Sequence, residues 1–426
     1  MTPARPSPFD SPLPSGHRLA SRRPFPSPEP GSEHGRGPAH ESGLAPEPLP
    51  SYRPAPSRGR PAPSGPPHWA GHRLPRHRPT VACAVPPHIL ERIARHGSED
   101  QRAWALASLA RDSSHRIIRA HESLLRASAD GGEPTTPAER PRPHRTVADA
   151  AGAETLPGTS LRGEGDDAVE DPAVNEAYDG LGATFDFYSS ALGRNSVDGA
   201  GMALVASVHY GDHYDNAFWD GRQMVFGDGD GELFRRFTVS LDVIGHELTH
   251  GVTEHESTLA YIHQSGALNE SISDVFGSLV RQYARGEAAE EADWLVGREL
   301  LTDAVHGVAL RSMRAPGTAY DDPVLGVDPQ PRHMSGYVRT TLDNGGVHIN
   351  SGIPNRAFYL AAIGLGGHAW EKAGQIWYAS ARATRIPPNA TFRSFAAITI
   401  RLADEMFGTQ ERRAVAEAWR EVGVTR

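Results

Sequence analysis

His246-Glu247-Leu248-Thr249-His250 has the pattern H-E-x-x-H. On a helix, two imidazoles four residues apart lie on one face and can point a ring nitrogen each at a single ion. Glu247 then lies about 100° round the helix, near enough to hold a water beside that ion. Val243 and Ile244 make the flanking segment suit a buried helix, although five residues alone also fit surface His and Glu on an ordinary one. A second element narrows the choice. GALNESISDVFG begins 16 residues beyond His250, and its Glu270 and Asp274 form an i,i+4 pair bracketed by Leu268, Ile272, Val275 and Phe276. Carboxylates on the apolar side of a helix need partners. Glu270 as a third ligand, with Asp274 accepting the outer N–H of a ligating histidine, gives each one. Two His and one Glu leave the fourth tetrahedral position of a zinc ion open to water, the arrangement of a catalytic site.

The rest of the chain must position these groups. Its 426 residues allow two or three domains and a large core. The single cysteine, Cys83, excludes an intrachain disulfide or a Cys-rich zinc site, so a metal must be held by His, Asp or Glu. No run approaches the roughly 18 apolar residues of a spanning helix, and MTPARPSPFD has no apolar stretch behind its charge, so a soluble chain without a secretion signal is expected. A net charge of −9 argues against a nucleic-acid partner, and no membrane partner is expected. Residues 1–80 hold 21 of the 36 prolines and carry +6, against −15 for the remainder. Such a segment cannot bury enough surface to order itself, and reads as a disordered tail, either docking onto Pro-binding domains or a bare linker or misplaced start.

From Cys83 the texture changes. Ile89, Leu90, Ile93 and Ala94 are spaced as on a helix, and Ser98 resembles an N-cap ahead of Ala103, Leu106, Leu109 and Ala110, so two or three short helices are expected. Residues 129–145 are rich in Gly, Pro, Thr and Arg and read as an exposed, cleavable connector. Beyond Thr146 the chain is strand-like with Gly and Asp turns, clearest at Met202 to Tyr210, with one helix over 175–192. Gly227 to Gly231, GDGDG, lacks the later Gly and Glu of a calcium loop and reads as a hairpin turn. From Thr238 helical patterns dominate. The fold class is α+β, a β-rich half joined to a helical half through LDVIGHELTHGVTE.

HELTH, NESISD, the upstream DNAFWDG and the downstream DNGGVHINSGIPNRAFYL together resemble the thermolysin family of zinc metalloproteases, from about Thr146 to the C-terminus. PPHIL and the helices after it resemble the short propeptide of the protealysin-like branch. The resemblance implies a two-domain fold, with peptidase domains at 146–254 and 255–426 and a helical propeptide at 81–128. It implies a zinc endopeptidase zymogen, with His246, His250 and Glu270 as ligands and Glu247 as general base. His348 matches the family's oxyanion-stabilising histidine, Asp343 its orienting carboxylate and Tyr261 a second donor. Arg311 matches the arginine on the leaving-side carbonyl of the substrate, Asn216 and Ala217 the edge-strand contacts, and Val243 with Leu310 would line an apolar pocket for the residue after the cut.

The family's paired calcium site is expected to be lost. Asp242 and Asp293 fit it, but Arg281, Leu295 and Arg298 stand where acids would be needed. Cys83 invites the idea that its thiolate closes the open zinc position in the zymogen, against an inert residue at the propeptide edge. Expected partners are protein or peptide substrates and the chain's own propeptide, with the protein a monomer. Secretion follows from family habit, with a cytoplasmic location as the alternative. Two rivals are a binding module that has kept the fold and an aminopeptidase.

Overall fold

A computed structural model describes residues 83–126, 141–383 and 386–426, with side chains of 115–126 excepted. The basic tail and most of the connector lie outside them. Two helices open the described chain, α1 (Pro87–His96) and α2 (Glu99–Arg126). Pro87 sits at the start of α1, where its missing N–H costs nothing. Ile89, Leu90 and Ile93 form its buried stripe. Ser98 does cap α2: Gln101 N–H donates to Ser98 Oγ, and Ser98 N–H donates back to the Gln101 side chain.

The sheet is built from β1 (Arg145–Asp149), β2 (Thr159–Gly163), β3 (Leu204–Val208), β4 (Ala217–Trp219) and β5 (Met224–Phe226), in the order β2-β1-β3-β5-β4. β3 runs parallel to β1 and β5, while β2 and β4 pair antiparallel, so β4 ends the sheet. One face packs on α3 (Pro172–Leu192), which starts three residues before the expected 175 because Asp171 caps Ala173 N–H and Pro172 fits the first turn.

The site is held by α4 (Leu241–Glu256) and α5 (His263–Arg285). These helices touch backbone to backbone at two glycines. A Cβ on Gly277 would stand 2.3 Å from the Asp242 carbonyl oxygen, and one on Gly245 would stand 3.1 Å from the Gly277 Cα. That approach brings the HELTH face against the Glu270–Asp274 face. Downstream, α6 (Asp343–Asn350), α7 (Gly352–Leu365), α8 (Ala373–Ala381), α9 (Phe392–Met406) and α10 (Thr409–Glu421) complete the helical half. Asp343 and Asn344, with Gly345 and Gly346, have positive φ, a sharp turn just ahead of His348.

Four expectations need correction. The hairpin turn is at Asp220, whose carboxylate accepts the N–H of Arg222 and of Gln223. GDGDG instead forms a loop in which Asp230 Oδ1 takes three N–H groups, those of Glu232, Leu233 and Phe234. The second of the two opening helices is long, 28 residues. Among its described side chains the buried ones are Ala105, Ser108 and Asp112, and Leu106 is exposed, because its contact with the rest of the chain is partly polar. Finally, 286–342 is not helical but mainly loops, whose turns are held by Asp322 and Asp328 accepting backbone N–H groups.

Candidate active site

Among the described residues, one group of three could hold a metal ion: His246, His250 and Glu270, with ligand atoms all within 4.8 Å of one another. His246 Nε2 stands 3.0 Å from His250 Nε2, and each lies 3.6 Å from a Glu270 oxygen. The outer ring nitrogens decide the protonation. His246 Nδ1 faces Asp274 Oδ1 at 2.9 Å and His250 Nδ1 faces Asn269 Oδ1 at 3.0 Å, both pure acceptors, so each Nδ1 carries the proton. In the neutral rings this tautomer turns both Nε2 lone pairs toward the Glu270 carboxylate in a buried space, an arrangement a cation relieves. The donor set fits zinc, with a fourth position left for water.

Asp274 is the hub behind this group. Its carboxylate takes the His246 N–H, the Arg311 guanidinium at 2.8–3.1 Å and the Asn355 amide at 2.8 Å. Burial alone would raise its pKa, but Arg311 and His246 outweigh burial and hold it well below the carboxylate range. Glu247 is fully buried, and its Oε2 accepts the Trp219 N–H at 3.2 Å, which ties α4 to the edge strand β4.

Across the cleft, His348 Nδ1 meets Asp343 Oδ1 at 2.7 Å, and the His348 N–H donates to the other Asp343 oxygen at 2.9 Å. His348 Nε2 points inward, 3.5 Å from Glu270 and 3.3 Å from the Tyr261 hydroxyl, which also donates to Glu270. Burial lowers the His348 pKa, yet the carboxylates of Asp343 and Glu270 raise it overall. Val243 and Leu310 are both buried.

The sequence-nominated cleft residues are already occupied by the chain itself. Ala84 N–H donates to Ala217 O at 3.0 Å, and Val85 N–H donates to Asn216 Oδ1 at 2.8 Å. Asn216 Nδ2 donates to Val85 O at 3.3 Å, and Arg311 Nη1 to Ala84 O at 3.1 Å. Cys83 pairs antiparallel with Phe218. Its side chain belongs to a buried cluster with Tyr210, Tyr214 and Phe218 and is not one of the three residues of the metal group.

Sequence reasoning missed several supports. Asp112 of α2 accepts from Tyr214 at 2.5 Å and from Asn216 at 3.0 Å, and the buried polar face of α2 was its only signal. His88, inside PPHIL, is pushed down to about 4 by burial and is therefore neutral beside Tyr320. Asn269 and Asn355 lie inside motifs already singled out, where only the ligand positions had been read.

Comparison with known proteins bears on this geometry directly. The thermolysin metallopeptidase catalytic domain matches residues 139–254, and its alpha-helical domain matches 257–424. An extracellular metalloprotease of Pectobacterium carotovorum subsp. carotovorum is 51% identical over 344 residues, 81% of this chain and 96% of that protein. The chain belongs to the thermolysin family. It is a metalloendopeptidase with a propeptide ahead of its catalytic domain, since the precursor of protealysin from Serratia proteamaculans is similar over its whole length. That structure gives a TM-score of 0.73 at 50% identity and covers 81% of this chain and all of that one. A thermolysin of Alicyclobacillus acidocaldarius subsp. acidocaldarius is 40% identical over 288 residues, 65% of this chain and 50% of that protein. Among the described residues no helix is long and apolar enough to cross a membrane.

Proposed function

We propose that His246, His250 and Glu270 hold one catalytic zinc ion and that Glu247 is the general base of internal peptide-bond hydrolysis. The observation that carries this is the pair of inward Nε2 atoms, 3.0 Å apart and beside Glu270, with Glu247 buried on the same helix. Bound zinc would supply Lewis acidity to a water and to the substrate carbonyl.

The chain's own residues do the rest. Glu247 takes the proton of the attacking water and passes it to the leaving nitrogen, a contribution of roughly 10²- to 10⁴-fold. His348 and Tyr261 donate to the developing oxyanion, an effect of roughly 10²- to 10³-fold for a single such donor. Asp343 holds the His348 ring with its Nε2 inward. Arg311 grips the carbonyl one residue past the cut, Asn216 and Ala217 align the substrate along β4, and Val243 with Leu310 favour a bulky apolar residue there. Replacing His348 with Ala should lower kcat by roughly 10²-fold or more with KM little changed. Cleavage of N-terminally blocked peptides separates this reading from an aminopeptidase, which needs a free amine.

The protein acts as a monomer outside the cell, a location supported by relatives named extracellular metalloproteases. It needs no calcium between α4 and α5. There the Arg281 guanidinium donates to Asp242 at 3.0 Å and to Asp293, lies 3.7 Å from Glu299, and so supplies the positive charge these carboxylates require.

A further inference from the structure

The segment Cys83–Val85 lies in the cleft in the direction and register of a substrate, and we infer that the Cys83–Ala84 peptide bond is a self-cleavage site that the enzyme cuts within its own chain. The inference rests on reading the cleft as an endopeptidase site and goes beyond it by naming a bond.

Register carries the argument. Ala84 offers its N–H to Ala217 and its carbonyl to Arg311, while both backbone polar groups of Val85 are met by the side-chain amide of Asn216. Arg311 holds the carbonyl of the first residue on the leaving side, so that residue is Ala84 and the bond ahead of it is the one presented for attack. Cys83 stands opposite Phe218, one residue before Trp219, whose N–H anchors Glu247. A strand laid antiparallel on an open sheet edge is the usual way a peptide is added to a sheet. A blocking segment in that register is a substrate unless its bond is protected, and the small Ala84 offers no steric protection.

The step balances as a simple hydrolysis. Water oxygen bonds to the Cys83 carbonyl carbon, the C–N bond to Ala84 breaks, and Glu247 carries a proton from the water to the Ala84 nitrogen. The products are a Cys83 carboxylate and an Ala84 amine, with no change of oxidation state. Residues 1–83, which include the basic tail, are released. The cleft is not opened by this cut, because α1 and α2 stay anchored through Arg311, Asn216 and the Asp112 contacts. Activation is thus a two-cut process, with the tail lost first and the remaining propeptide lost by a second cleavage.

The test follows the full chain by intact mass and N-terminal sequencing after zinc is added, at two chain concentrations tenfold apart. In parallel the matured enzyme is assayed on casein. The expected result is a product beginning at Ala84, formed at the same fractional rate at both concentrations and slowed on the order of 10²- to 10⁴-fold in Glu247→Ala. Ala84→Pro, which lacks the N–H given to Ala217, should leave this bond uncut, and Ala84→Leu should be cut at least as fast as the parent. An intact Cys83–Ala84 bond in a zinc-bound chain whose matured form digests casein overturns the inference and leaves the peptidase reading standing. Equal cutting in Glu247→Ala, or a rate that rises with concentration, overturns it as well. Failure on casein too overturns the peptidase reading and this inference with it.

Discussion

His246 donates its outer ring N–H to Asp274 at 2.9 Å, and Asp274 is simultaneously held by Arg311, whose free arm reaches the cleft at Ala84. One buried carboxylate therefore orients His246, a proposed metal ligand, and Arg311, which holds the Ala84 carbonyl in the cleft. Its negative charge is balanced by Arg311, so Asp274→Asn leaves shape intact while weakening both links. We expect metal affinity to fall roughly 10- to 100-fold, the scale of losing a partner behind a ligating histidine. Competition with a chelator of known affinity measures this, and unchanged affinity would show that Asp274 serves Arg311 alone.

The close crossing of α4 and α5 depends on Gly277. Its Cβ in a Gly277→Ala variant would meet the Asp242 carbonyl oxygen at 2.3 Å and the His246 nitrogen at 2.9 Å, both backbone atoms that cannot swing aside. The helices must part by about an ångström, costing about 1–3 kcal/mol and loosening the His246–Asp274 bond. Thermal unfolding and bound zinc should fall together.

Arg281 is almost fully buried among Asp242, Asp293 and Glu299. Truncation to Ala strands Asp242 without a counter-charge and should destabilise the protein by about 3–5 kcal/mol. Calcium added to the parent should leave its unfolding temperature unchanged. A marked rise at stoichiometric calcium would show that Arg281 does not fill the cationic role.

His209 ties the end of β3 to the α3 cap and to the GDGDG loop. Its Nε2 meets Asp171 at 2.7 Å and its Nδ1 meets Asp228 at 2.9 Å. The hydrogen bond to Asp228 and the charge of both carboxylates raise its pKa from 6.5 to about 9. Because the folded value is the higher one, this stabilisation is fully present below pH ~6.5 and is lost as pH rises through about 9. Solvent screening at this partly exposed site leaves about 1 kcal/mol. The stability difference between the parent and His209→Gln, measured by denaturant unfolding, should be near that value at pH 6 and vanish at pH 10.

How much of this was legible in the sequence follows from how local each signal is. The metal group could be read because H-E-x-x-H and the Glu270–Asp274 pair are helix-face patterns, set by the 3.6-residue period alone. The α3 and α1 helices were legible for the same reason. The loops of 286–342 were not, since side-chain carboxylates capping turns leave no period to detect. The α2 face was misread because Ser108 and Asp112 are buried by polar contacts with Asp215 and Asn216, which apolar spacing cannot announce. Cys83 was expected at the cleft through its thiolate, but the backbone contacts that seat Cys83–Val85 were invisible for a deeper reason. They are made by backbone atoms meeting residues over a hundred positions away, and backbone atoms are the same in every sequence.

The most direct measurement is casein hydrolysis by the matured chain beside Glu247→Ala, with bound zinc quantified in both. The account predicts activity in the parent that a chelator abolishes, a loss on the order of 10²- to 10⁴-fold in the variant, and about one zinc per chain in each. Comparable hydrolysis by the variant, or a folded parent that binds no zinc, would contradict it.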